Sequence, residues 1–129
     1  MKEILLVGLG GFIGCVARFK LTVWVLQHTP DWRFPAGTLL VNLIGCFAVG
    51  AVSGWALKQG FVAQHTRIFL IPGILGGFTT FSAFGYETFA MLRRGEPLVA
   101  VSYVLTSVVC GLVLVWLGFK LCAGGSAIN

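Results

Sequence analysis

Four long apolar stretches, at about 4–26, 38–57, 67–92 and 98–122, follow one another along the chain with short polar connections between them. Each has about the 20 residues that a helix needs to cross a hydrocarbon core of about 30 Å. The pattern predicts an all-α integral membrane protein of four transmembrane helices, folded as a single transmembrane domain over 1–129. The third stretch departs from the others. Its run Ile71-Pro72-Gly73-Ile74-Leu75-Gly76-Gly77-Phe78-Thr79-Thr80-Phe81-Ser82-Ala83-Phe84 sets a helix breaker, paired glycines and hydroxyls inside an apolar span, which predicts an interruption near 76–79. Irregular backbone at membrane depth persists only where protein or a water-filled cavity satisfies its polar groups. This run therefore marks the functional centre, where something polar is held or passed.

Composition agrees with the pattern and excludes other classes. The 129 residues are 57% hydrophobic and 10% charged, with mean hydropathy +0.94, whereas a soluble domain carries about 25% charged residues. Lys2 followed by an apolar run resembles a signal peptide, but the run is too long, lacks a small-residue cleavage site and precedes three more spans. It reads as a retained first helix. Gly8, Gly10, Gly11 and Gly14 invite a dinucleotide-binding reading, which fails because such a loop needs a preceding strand. Within an apolar helix, Gly10 and Gly14, like Gly50 and Gly54 in the second span, let backbones approach closely. No nucleic-acid partner is expected. Cys15, Cys46, Cys110 and Cys122 form no C-x-x-C pair and read as small packing residues, and His28 and His65 as solvated loop residues. No nucleophile, base and orienting group stand at compatible positions, so no enzyme is expected.

Basic residues near the span ends normally set orientation. Four spans place Lys2, Lys58, Arg67 and Lys120 on one side and Arg33, Arg93 and Arg94 on the other, with Arg18 and Lys20 in the half of the first span nearer the second group. The balance is close to even. A chain without a topological preference inserts both ways, and two opposed copies then pair about an axis in the membrane plane, the symmetry that transporters often build from internal repeats. One weakly specified orientation is the alternative. Asn42, Thr79, Thr80, Ser82, Thr106 and Ser107 favour pairing, because an unsatisfied polar group at membrane depth costs several kcal/mol. Four helices can hardly enclose these groups and a conduit too, and a closed two-fold pair is the commonest oligomer.

Individual motifs carry the chemistry. Arg18, still within the first span, is either a functional charge near a pore mouth that concentrates anions or an interfacial anchor snorkelling beside Lys20. Thr38 and Asn42 lie one turn apart on one face of the second span; the Asn amide can solvate an anion or tie two helices together. If the third span unwinds after Gly76-Gly77, carbonyls around Thr79 and Thr80 become cation ligands. Phe81 and Phe84 then share a face, with Ser82 beside them and Glu87 one turn beyond Phe84. Ring edges carry positive potential, so such phenylalanines contact a small anion without trapping it, or else simply pack. Tyr103, Thr106, Ser107 and Cys110 form a semipolar stripe on the fourth span that either relays a dehydrated ion or bonds helices together.

The run Gly10-Gly11-Phe12-Ile13-Gly14 with Arg18, then Gly37-Thr38-Leu39-Leu40-Val41-Asn42, then Gly76-Gly77-Phe78-Thr79-Thr80-Phe81-Ser82, resembles the Fluc (CrcB) fluoride channel family, in order and over three of the four helices. The resemblance implies a dual-topology antiparallel homodimer in the bacterial inner (plasma) membrane, with two separate pathways that passively export cytoplasmic fluoride and so confer fluoride resistance. It implies that Phe81 and Phe84 line the pathways, with Asn42 a pore hydrogen-bond donor and Thr38, Tyr103 and Ser107 on a polar track; Thr80 and Ser82 fall within the same motif. Gly76 and Thr79 would offer backbone carbonyls from both subunits to a structural Na+ at the dimer centre. Arg18 would sit near the vestibule and Glu87 near the far end of the pore. The preference for fluoride over chloride follows from the resemblance alone.

Ala83, Phe19 and Gly111 depart from the family pattern. At Gly111, one turn beyond Ser107, the hydroxyl that relatives can place there is missing, which thins the expected track. The main rival is a small multidrug-resistance transporter, also a four-span protein that pairs antiparallel and couples cation export to protons through a carboxylate in the first span. Here that span has only Glu3, at its extreme start. A purely structural membrane subunit is the second rival.

Overall fold

The computed structural model describes residues 1–29, 34–59 and 64–124. Among these residues the chain is all-helical: α1 (Lys2–His28), α2 (Ala36–Lys58), α3 (Gln64–Ile68), a π-helical segment (Phe69–Leu75), α4 (Gly76–Phe78), α5 (Phe81–Arg93) and α6 (Pro97–Ala123). α1, α2, the stretch Gln64–Arg93 and α6 are each long and apolar enough to cross a membrane.

The third of these stretches changes geometry twice. The π turns surround Pro72, which has no N–H to give the helical ladder. After Phe78 the backbone straightens, with Thr79 at ψ 157° and Thr80 at φ −147°, ψ 119°. Helix then resumes at Phe81, and the Thr80 hydroxyl accepts from the Ala83 amide at 3.3 Å, satisfying one of the free donors at the start of α5. The departure from α geometry thus starts at Phe69, ahead of the glycine pair on which the sequence reading centred.

Small residues set the packing. On α1, a Cβ at Gly10 would stand 2.7 Å from the Phe69 carbonyl oxygen, and one at Gly14 would collide with that of Ile74. From the other side, Gly77 meets the Gly11 backbone. α1 and the first half of the third span are therefore in backbone contact. α2 and α6 meet in the same way, Gly50 and Gly54 against the carbonyls of Val115 and Phe119, and Gly118 against that of Phe47. The glycine spacings seen in the first two spans are thus helix-packing devices, where dispersion and close approach replace a hydrophobic driving force.

α5 leans on α6 through a small core of Met91, Ala100 and Tyr103, joined by Phe34, Leu39, Phe84 and Val99. Most other large apolar side chains face outward, among them Ile4, Leu9, Phe12, Phe81, Leu98 and Leu112. The turn from α5 to α6 uses Gly95 at φ +74°, a left-handed conformation that glycine adopts without a Cβ clash.

Candidate functional site

A cavity of about 460 Å³ opens beside the extended residues and is walled by α2, the π segment, the Thr79–Thr80 joint, the start of α5, and α6. Asn42, Gly76, Thr79, Thr80, Phe81, Phe84 and Ser107 all line it. Six apolar or thiol-bearing residues, Cys46 among them, complete the wall. Seven of the residues singled out from the sequence therefore come together at one place.

The joint is held by Asn42. Its Nδ2 donates to the Thr80 carbonyl at 3.0 Å, and its Oδ1 accepts from the Thr80 amide at 2.8 Å. These are the two backbone groups an extended residue would otherwise leave unpaired in a medium without water. One amide hydrogen of Asn42 is engaged in this way, and the residue lines the cavity. Thr79 turns its hydroxyl back to the Leu75 carbonyl at 3.0 Å, and the Thr80 and Ser82 hydroxyls lie 3.3 Å apart.

Two carbonyls near the joint lose their usual partners. In a continuous helix the Thr80 amide would bond Gly76 O and the Ala83 amide would bond Thr79 O. Here those amides go to Asn42 Oδ1 and Thr80 Oγ1. Gly76 and Thr79 thus present oxygen acceptors released from the ladder, the hard, neutral donor type that suits an alkali cation.

The aromatic wall continues toward the core. Phe81 is 83% exposed, its ring centroid 5.6 Å from that of Phe84. Phe84 in turn lies 5.1 Å from the fully buried Tyr103. The Tyr103 hydroxyl donates to Glu87 Oε2 at 2.8 Å, and the buried Thr38 hydroxyl donates to Glu87 Oε1 at 2.6 Å. Thr38, Glu87 and Tyr103 thus form one polar chain, on α2, α5 and α6, that leads away from the cavity. On the cavity wall itself, Ser107 Oγ is the one buried side-chain oxygen or nitrogen without a partner among the described residues. A buried hydroxyl is ordinarily satisfied, so this one has donor and acceptor capacity left for whatever fills the cavity.

Arg18 stands apart from this wall. Its guanidinium donates to Cys15 Sγ at 3.6 Å, and that thiol donates to the Gly77 carbonyl at 3.4 Å. The sequence reading treated Cys15 as a packing residue, yet its thiol bonds a carbonyl two residues before the joint. Its i, i+3 spacing to Arg18 was a usable signal. Cys46 was also missed as a wall residue. Its sulfur sits 3.3 Å from where a Cβ at Gly111 would be, so a thiol occupies the space one turn beyond Ser107. Phe34, edge-on to Tyr103 at 5.4 Å and 85°, lies between two spans, where nothing in the apolar pattern distinguishes it.

Comparison with known proteins agrees over the whole membrane region. The family model described as CrcB-like protein, Camphor Resistance (CrcB), matches residues 5–119. A relative from Methylobacillus flagellatus, named fluoride-specific ion channel FluC, is 51% identical over 121 residues, covering 94% of each chain. A protein of the same name from Chlorobium chlorochromatii is 46% identical over 116 residues, 90% of this chain and 88% of its own. Another from Geotalea daltonii is 43% identical over 118 residues, 92% of this chain and 94% of its own. With a match that begins in α1, ends in α6 and includes every wall residue of the cavity, this chain belongs to the CrcB-like, Camphor Resistance (CrcB) family.

Proposed function

We propose that this protein is a fluoride-selective channel of the inner (plasma) membrane that exports cytoplasmic fluoride passively and lowers its intracellular level. The observation that carries the reading is the cavity at the Thr79–Thr80 joint, which sets the unpaired Ser107 hydroxyl, the Asn42 amide and the Phe81 and Phe84 rings around one space. Relatives 43–51% identical that are named fluoride-specific ion channels supply the ion. Fluoride holds its water tightly. A path for it must replace hydration with donors and ring edges, exclude larger halides by width, and bind weakly enough to release. Hydroxyl, amide and ring edge meet that need without a fixed cation to trap the ion. Conduction of this kind involves no covalent chemistry, so the protein is not an enzyme.

The functional unit in this reading is an antiparallel pair of chains of opposite topology with two pathways. The near-even distribution of basic residues supports it, and so do the many outward-facing apolar side chains. The third span acts as two half-helices joined at Thr79 and Thr80. Asn42, Thr80, Phe81, Ser82, Phe84 and Ser107 serve the pathway; Thr38, Tyr103 and Glu87 continue it outward, and Arg18 stands at a vestibule. The Gly76 and Thr79 carbonyls, with their counterparts on the second copy, fit a structural Na+, whose charge would neutralise converging carbonyl dipoles at the centre of the pair.

Proton-coupled cation export is the rival class. Glu87, the carboxylate that would have to serve it, already accepts from Thr38 and Tyr103 through its two oxygens. The test is efflux from liposomes carrying the purified protein, with a fluoride electrode, a potassium ionophore to clamp voltage and chloride as the paired control. Rapid fluoride loss with negligible chloride loss is the expected result. Fluoride retained in vesicles that hold folded protein would overturn the reading.

A further inference from the structure

A second cavity, of about 220 Å³, lies at the far end of α5 and is lined by Pro35, Tyr86, Glu87, Ala90, Met91 and Arg94. Glu87 belongs both to this cavity and to the chain that starts at Phe84 and Tyr103. The second cavity therefore continues the line of the first outward, past a carboxylate. An anion on that line meets a like charge, and the Thr38 and Tyr103 hydroxyls, being neutral, soften that charge without cancelling it. Among the described residues, the cation on the same wall is Arg94.

Backbone geometry puts it there. α5 closes in a Schellman turn, in which the Glu96 amide donates to the Met91 carbonyl at 3.0 Å and the Gly95 amide to that of Leu92 at 3.0 Å. This turn sets Arg94 and Glu96 side by side, and Arg94 Nε donates to Glu96 Oε2 at 3.2 Å. With the side chain 46% exposed, the guanidinium is positioned yet reaches water. A surface ion pair of this kind adds little to stability, so what Arg94 supplies at the mouth is one positive charge set against two carboxylates, Glu87 and its partner Glu96.

We infer that Arg94 is a pathway residue: it offsets the Glu87 charge at the outer mouth and raises the local concentration of fluoride there. The inference rests on the channel reading above and adds to it a specific cation at the Glu87 end of the pathway. A unit charge acting across several ångströms of water changes a local ion concentration by about threefold, and salt screens that effect within a Debye length of about 30 Å at 0.01 M and about 3 Å at 1 M.

The experiment is voltage-clamped fluoride efflux from liposomes at those two concentrations of an impermeant salt, with wild type, Arg94→Lys, Arg94→Gln, Arg94→Glu and Arg93→Gln. The last removes the same charge from the neighbouring position, which does not line the cavity. At low salt the expected order is wild type and Arg94→Lys fastest, Arg94→Gln slower by about threefold and Arg94→Glu slower still, with Arg93→Gln closer to wild type. At high salt the rates converge. Rates that ignore the charge at 94, or differences that persist at high salt in variants with wild-type elution profiles, would reduce Arg94 to a turn-forming residue and overturn the inference while leaving the channel intact. A wild type that releases no fluoride would instead remove the reading on which the inference rests.

Discussion

Asn42 shows how one side chain holds irregular backbone at membrane depth. Its amide closes both backbone groups of Thr80, and each such group left unpaired costs about 1 to 3 kcal/mol. Asn42→Leu, similar in size and without polar atoms, should therefore lower the unfolding free energy by about 2 to 6 kcal/mol, read as a fall in the thermal midpoint in detergent. An unchanged midpoint would mean that Thr80 finds other partners. The Glu87 chain makes a separable prediction. Thr38→Val and Tyr103→Phe each remove one donor from the same carboxylate, so their effects on stability should be coupled by more than about 0.5 kcal/mol in a double-mutant cycle. Simple additivity would show that the two hydrogen bonds act independently. At Gly111, a serine would press on Cys46 Sγ, 3.3 Å from the new Cβ; overpacking of this kind costs about 1 to 3 kcal/mol. Adding Cys46→Ala should recover most of that loss.

Helix pairing depends on which glycines touch a neighbour. Gly14 on α1 faces the backbone of Ile74, Gly77 and Phe78, while Gly8 has nothing within 4 Å of a Cβ. Gly14→Ala should therefore push α1 off the third span and destabilise the fold markedly. Gly8→Ala should be neutral or mildly stabilising, since alanine is the better helix former by about 1 kcal/mol. Denaturation in mixed micelles distinguishes the two, and equal effects would refute the packing account. The four-residue spacing of Gly10 and Gly14 made a contact face legible in the sequence. Which helix meets that face was not legible, because Gly73 and Gly77 opposite it are also four apart and α2 and α6 carry glycines as well. The π turns around Pro72 were likewise hidden. A proline announces a gap in the ladder, and only the surrounding packing decides whether the chain kinks, stops or widens.

For the whole molecule, the accessible surface is the telling quantity. The chain exposes 8438 Å², where a compact soluble protein of 13.8 kDa would expose about 6,600 Å². Large apolar side chains are exposed on every span; some of them must meet lipid and some, in the proposed pair, a second copy. The antiparallel arrangement predicts that two copies fused through one added transmembrane helix, which inverts the second, conduct fluoride as the free chains do. Copies fused by a soluble linker too short to let the second chain invert should not. Activity of the short-linker fusion alone would favour a parallel assembly.

By itself the sequence determined the four spans and the all-helical class, because lipid leaves a chain few options: apolar length fixes what can cross. It also singled out Asn42, Phe81, Phe84 and Ser107, which line one cavity, and Thr38 and Tyr103, which share the Glu87 carboxylate. Only the tertiary structure decided how they are joined: that Asn42 closes the Thr80 backbone, that Glu87 accepts from helices on either side of it, that thiols at Cys15 and Cys46 reach the Gly77 carbonyl and the cavity wall, and that Arg94 lines a second cavity. The physical reason is that apolar periodicity records one face of one helix at a time. A hydrogen bond between helices depends on rotation and axial offset, which close contact at the glycines sets and no single span encodes.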